Sequence, residues 1–244
     1  MAFAATSHRS IEGAVATLGV SDRVVFLRKT YAHLGVALLA FAALAGGMLR
    51  FAPEMSGKFS AWALQGRWSW FLVLIAFVLV GKVAERLAMS ETTRPLQYVG
   101  LGIAVFAEAL ILQPVLWILV SRFSLPTAFA IVSQATVITL SIFVGLTLTV
   151  FITKKDFSFL RGILTVCTFA ALGVILASLA FGFSLGALFC GAMILLMSGY
   201  ILFQTSIIMK DFPPTAHVSA ALMLFSTIAT LFWYVLQLLA SLRD

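Results

Sequence analysis

GLGIAVFAEALILQPVLWILV, residues 100–120, is the stretch on which the fold turns. Its only strongly polar side chains are Glu108 and Gln113. At 1.5 Å per residue it is long enough to cross a hydrocarbon core of about 30 Å. Inside lipid every backbone N–H and C=O must be paired within the structure, which leaves a helix or a closed barrel. A barrel strand would alternate polar and apolar residues; this stretch does not, so it reads as a helix.

Runs of the same kind recur along the whole chain. Hydrophobic residues make up 62% of the 244 residues and charged residues 10%, against about 45–50% and about 25% in soluble domains. The spans read as His33 to Leu49, Trp68 to about Lys82, Gln97 to Val120, Ala128 to Ile152, Leu160 to Leu179, Ala187 to Met209 and His217 to Leu242. Arg50, Pro53, Glu54 and Lys58 read as a loop with turn chemistry. The expectation is an all-α membrane protein, a bundle of seven transmembrane helices over residues 30–244, preceded by a cytosolic tail over residues 1–29. The tail carries Arg9, Glu12, Asp22, Arg23, Arg28 and Lys29 and lacks the apolar core of a signal peptide. Ser21 reads as the cap of a juxtamembrane helix.

Lys and Arg favour cytoplasmic loops. Seven spans put Arg9, Arg23, Arg28, Lys29, Lys82, Arg86, Arg94, Lys154, Lys155, Arg161 and Lys210 on the side of the N-terminus. Only Arg50, Lys58, Arg67, Arg122 and Arg243 fall on the other. The expected orientation is therefore N-terminus in the cytoplasm and C-terminus in the periplasm. The net charge of +7 fits this flanking of membrane helices better than nucleic-acid binding.

Glu108 is the one carboxylate deep within a span. A charged acid at a helix centre costs about 2.5–3.5 kcal/mol on insertion scales, so such residues face a bundle interior and have a partner or a function. Two readings stand: a proton-responsive or ion-contacting group, or a structural acid that is protonated, hydrogen-bonded or paired with Lys82 or Arg86. Lys82 and Arg86 lie four apart on one helix face, either anchoring the helix by snorkelling or gating an interior path. Gln204 and Thr227 read as polar glue between helices, and Gly191, Ala192, Ser198 and Gly199 as small residues at close helix contacts. His8, His33 and His217 are far apart in sequence. Cys167 and Cys190 have neither CxxC spacing nor a nearby His, and no HExxH, GxSxG, GxGxxG or Walker pattern occurs. No catalytic residue, metal site or cofactor is expected.

Several segments together resemble the transmembrane Bax inhibitor motif family, in its bacterial YccA-like branch. They are RKTYAHLGVALLAF at 28–41, GLGIAVFAEALILQPVL at 100–116, TKKDFSFLRGIL at 153–164, SGYILFQTSIIM at 198–209 and AALMLFSTIATLFWYVLQLLASLRD at 220–244. Asp156, Phe157, Thr205 and Ser206 stand in the motif positions. The resemblance implies six helices around a central seventh. In channel-like members an Asp on the sixth helix and one on the seventh form a pH-sensitive latch on a calcium leak. Those positions match Gln204 and Thr227, which do not titrate, so that latch cannot operate here. The YccA-like branch implies a multi-pass protein of the bacterial inner membrane that modulates the membrane protease FtsH and membrane-protein quality control, with the tail as its handle. That regulatory function is the first expectation. A pH-sensitive leak for Ca2+ or other cations, with H+ acting on Glu108 in place of the latch, is the second, and an enzyme a distant third.

Overall fold

A computed structural model describes residues 19–90 and 94–243, all helix and connections, with no strand among them. The helices are α1 (Val20–Phe51), α2 (Pro53–Leu64), α3 (Arg67–Ala88), α4 (Arg94–Arg122), α5 (Leu125–Thr153), α6 (Leu160–Phe181), α7 (Ala187–Lys210) and α8 (His217–Ser241). Six of them, all but α2 and α3, are long and apolar enough to cross a membrane. α3 has the length of a span, but Lys82, Glu85 and Arg86 occupy its last turns.

The juxtamembrane helix expected before the first span is present as the first turns of α1, which runs unbroken from Val20 through Phe51. Phe26 is buried there at 1% exposure, which explains why the helix starts so early. Ser21 is no cap: Gly19 takes that position, without a side-chain hydrogen bond. The turn expected at Pro53 is instead the N-terminus of α2. Proline at a first helical position loses nothing, because its missing N–H has no intrahelical partner there.

α2 is held by buried polar contacts. Ser56 Oγ donates to Gln113 Oε1 at 2.7 Å and accepts from Trp117 Nε1 at 2.8 Å. Gln113 Nε2 donates to the carbonyls of Ala45 at 3.2 Å and Ala109 at 3.0 Å, joining α1, α2 and α4. These bonds lie one residue before Pro114, which stands inside α4 and has no N–H for the helix ladder.

α8 is the central element and packs on α1, α3, α4, α5 and α7. In the most apolar stretches of α4 and α8, 61% and 56% of residues are buried within the protein, against 6% in α6. α6 therefore lies at the periphery, against α7. Its C-terminus is closed by Gly182 in the left-handed conformation (φ 79°) and by Arg67 of α3, which donates to the carbonyl of Leu179 at 3.2 Å. Gly199 sits where a side chain would strike Leu164, a close α6–α7 contact as expected, whereas Gly191 faces open space.

Candidate functional site

From its start to its middle, α8 carries hydroxyls at helical spacing: Ser219, Ser226, Thr227 and Thr230. Residues three, four and seven apart share one face of a helix. That face meets Glu85 of α3, Glu108 of α4 and Gln204 of α7 around a cavity of about 310 Å3. Three residues singled out from the sequence, Glu108, Gln204 and Thr227, thus line one space.

The walls offer oxygen lone pairs. Thr227 Oγ1 donates to the Met223 carbonyl at 3.2 Å, Thr230 Oγ1 to Ser226 at 2.8 Å, and Ser219 Oγ to Ala216 at 3.0 Å. A hydroxyl that has spent its proton on the backbone can only accept. Gln204 Oε1 is buried with no hydrogen-bond partner. Glu108 is 8% exposed, and among the described residues nothing hydrogen-bonds or pairs with its carboxyl group.

The pairing of Glu108 with Lys82 or Arg86 does not occur. Lys82 reaches Glu85 instead, at 3.6 Å, with the two side chains 70% and 45% exposed. Arg86 is also exposed, and neither cation lines the cavity. Both lie near the end of α3, where long basic side chains reach the membrane surface.

A second cavity, of about 200 Å3, meets the first at Phe77, Glu108 and Thr230. The first extends toward the end of α3 and the start of α8, at Glu85 and Ser219. The second extends toward the start of α3 and the end of α8, at Trp70 and Gln237. Glu108, at the midpoint of α4, therefore stands between spaces directed to opposite ends of the bundle. Trp70 and Trp233 stack across the second space, with ring centroids 6.0 Å apart and planes 19° apart. Glu85, Glu108 and Tyr234 are the titratable groups along the two cavities, and no Lys, Arg or His lines either among the described residues.

The motif residues gather elsewhere, where the α5–α6 connection meets the end of α7. Asp156 Oδ2 pairs with Lys210 Nζ at 2.9 Å, its Oδ1 accepts from the Ser158 N–H at 2.9 Å, and the Phe157 N–H donates to Ser206 Oγ at 3.1 Å. Thr205 is fully buried. Partial desolvation works upward on the Asp156 carboxyl, but the Ser158 and Lys210 contacts outweigh it and bring its pKa down to about 2. This cluster pins a loop.

Some neighbours were invisible in the sequence. His33 and His217, far apart along the chain, have ring centroids 5.1 Å apart, and His33 Nε2 lies 3.1 Å from the Tyr98 hydroxyl. His8 lies outside the described residues. Both cysteines are free, and no group of three or more His, Cys, Asp or Glu could hold a metal among the described residues. Ser219, Ser226 and Thr230 also went unnoticed, although their spacing on α8 was a usable signal.

A helical bundle with six helices fit to span, and its polar groups turned inward, defines a multi-pass membrane protein. Residues 23–244 match the family described as Inhibitor of apoptosis-promoting Bax1, and the chain belongs to that family. It is 33% identical over 235 residues to Bax inhibitor 1 of Schizosaccharomyces pombe, covering 94% of this chain and 81% of that protein. Partial matches include an uncharacterized protein of Pseudomonas aeruginosa, 34% identical over 120 residues, covering 47% of this chain and 51% of the relative. Another is an uncharacterized membrane protein of Vibrio cholerae, 29% identical over 126 residues, covering 50% and 54%. No solved structure matches the chain.

Proposed function

We propose that this protein lets protons or small cations cross its membrane in a pH-sensitive way, with Glu108 as the group that holds them midway. The observation that carries this reading is the position of Glu108: an unpartnered carboxyl group shared by two cavities directed to opposite ends of the bundle. Intramembrane acids in such interiors mark ion and proton pathways. The cavity oxygens of Gln204, Ser219, Thr227 and Thr230 are acceptors suited to a hydrated cation or a chain of waters. With Glu85 drawn to Lys82, Glu108 is the one unpaired carboxyl group among neutral oxygens, which favours protons and monovalent ions over calcium, since calcium takes 6–8 oxygen ligands, several of them usually carboxylates. The acid pair implied for channel-like relatives is replaced here by Gln204 and Thr227, so Glu108 takes over the titrating role.

In this reading α3 is the seventh span, the N-terminus faces the cytoplasm and the C-terminus the opposite side of a bacterial inner membrane. Reporter fusions to both ends would give opposite locations; the same location would remove a span.

Modulation of FtsH draws no support from the cavities. The first 18 residues of its expected handle lie outside the described residues, and residues 20–29 are built into α1. A pull-down in mild detergent with and without residues 1–18 tests it separately.

The cation reading is tested by flux into dye-loaded liposomes at acidic and neutral pH. The wild-type protein should move protons or cations with a clear pH dependence, and Glu108→Gln should abolish that dependence. An unchanged profile in Glu108→Gln, or no flux at either pH, removes the proposal.

A further inference from the structure

A groove of about 510 Å3 lies on the other side of α8, between α1 and α5. α1 and α5 meet at Tyr31, whose ring centroid is 6.4 Å from that of Phe143 and 5.7 Å from that of Phe151. Toward the other end of the bundle they part. Small residues on their facing sides, Ala42, Ala45 and Gly46 of α1 and Ala128 of α5, leave the space that larger side chains would close. The floor is Ile228, Ala229 and Phe232 of α8 together with Leu112 and Leu116 of α4.

We infer that this groove is a binding site for one acyl chain of a membrane phospholipid. Length argues for this occupant. The lining on α5 runs from Leu125, its first residue, to Leu140, just past its midpoint. That is a rise of roughly 22 Å, about half of a bilayer that measures about 40–45 Å with its headgroups. The groove is as deep as one leaflet. Thr136 and Thr139 are its polar residues; Thr136 has given its proton to the Val132 carbonyl and the Thr139 hydroxyl is buried, so the surface offered to the groove is hydrocarbon. Charge argues for the same occupant. At the mouth, the exposed Arg50 follows the lining residue Leu49 in the last turn of α1, where a phosphodiester headgroup would meet it.

The site touches function through α8. The turn that offers Ile228 and Ala229 to the groove offers Thr227 and Thr230 to the Glu108 cavity. A chain in the groove packs directly on the helix that shapes the polar side. The inference does not depend on the cation reading.

The test uses the full chain in liposomes doped with a phospholipid that carries a photoreactive group along one acyl chain. After illumination, labelled peptides are mapped by mass spectrometry. Labelling of α1 around Ala42–Gly46 and of α5 around Ala128–Val132 should exceed, several-fold, that of the lipid-facing surface of α6 around Val166 and Phe169. Gly46→Phe is the informative variant, because a Cβ built at Gly46 meets no atom within 4 Å and Gly46 lines the groove, so the ring has open space to enter. It should lower groove labelling to the α6 level while α6 labelling stays constant; Ala42→Trp should do the same. Groove labelling equal to that of α6 in the wild type, or unaffected by both variants, overturns the inference.

Discussion

Gly100 of α4 lies so close to Ala84 of α3 that a Cβ on the glycine would stand 2.5 Å from the Ala84 carbonyl oxygen, and 2.7 Å from the Ala88 nitrogen. No side chain can turn aside there, because the obstacles are backbone atoms. α3 and α4 form the most extensive helix pair in the bundle, and this contact sets how near they come. Gly100→Ala should therefore push them apart and destabilise the protein by about 1–3 kcal/mol, the usual cost of overpacking, despite the better helix propensity of alanine. Thermal unfolding in detergent reads this as a lower midpoint. An unchanged midpoint would mean that the two helices slide freely.

The Ser56–Gln113–Trp117 contacts make a second prediction. Gln113→Leu takes away the acceptor for Ser56 and the donor to Ala45, leaving a buried hydroxyl short of its best partner. The expected loss is about 1–3 kcal/mol. Ser56→Ala still strips Trp117 of its acceptor, but in the Gln113→Leu background it should cost less than in the wild type, since the two residues belong to one network. Full additivity in unfolding measurements would show that they act independently.

How far the sequence was readable follows from what each signal measures. Long apolar runs are set by the bilayer, so α4 through α8 begin and end within a few residues of expectation. α2 escaped because Pro53, Glu54 and Lys58 suggest a turn, while the residues that hold α2 down, Gln113 and Trp117, are about sixty positions away. The helix before the first span was legible at Ser21, but local charge does not reveal that Phe26 is buried in the core. At the site, Glu108, Gln204 and Thr227 stood out as polar residues in apolar surroundings. Their convergence on one cavity depends on the packing of four helices, and so does the exclusion of Lys82 and Arg86.

Asp156 gives a prediction in pH. Its carboxyl has a pKa of about 2 in the folded protein, below the ordinary 3.8. A group with a lowered folded value stabilises the fold in its charged form. That contribution is complete above the ordinary value and disappears as pH falls from there through about 2. The Asp156 and Lys210 side chains are 41% and 37% exposed, so solvent screening keeps the effect small. Thermal midpoints measured between pH 5 and pH 2 should fall less steeply in Asp156→Asn than in wild type. Identical slopes would show that the loop contact does not contribute.

Gln204 and Thr227 face the same cavity as Glu108. Restoring acids at both, with Gln204→Asp and Thr227→Asp together, would add two carboxyl groups to Glu85 and Glu108 around one space and make it a far better site for calcium. The double variant should admit calcium to dye-loaded liposomes where the wild type admits little. Equal calcium entry in both would mean that these side chains do not border the path.

The account rests most heavily on water reaching Glu108 and exchanging protons with it. Infrared difference spectra of the purified protein, recorded across pH and after transfer to D2O, observe this carboxyl group directly. The account predicts a carboxyl band that changes with pH, shifts in D2O within minutes and is missing from Glu108→Gln. A Glu108 band that ignores both pH and D2O would make it a sealed structural acid and contradict the proposed passage.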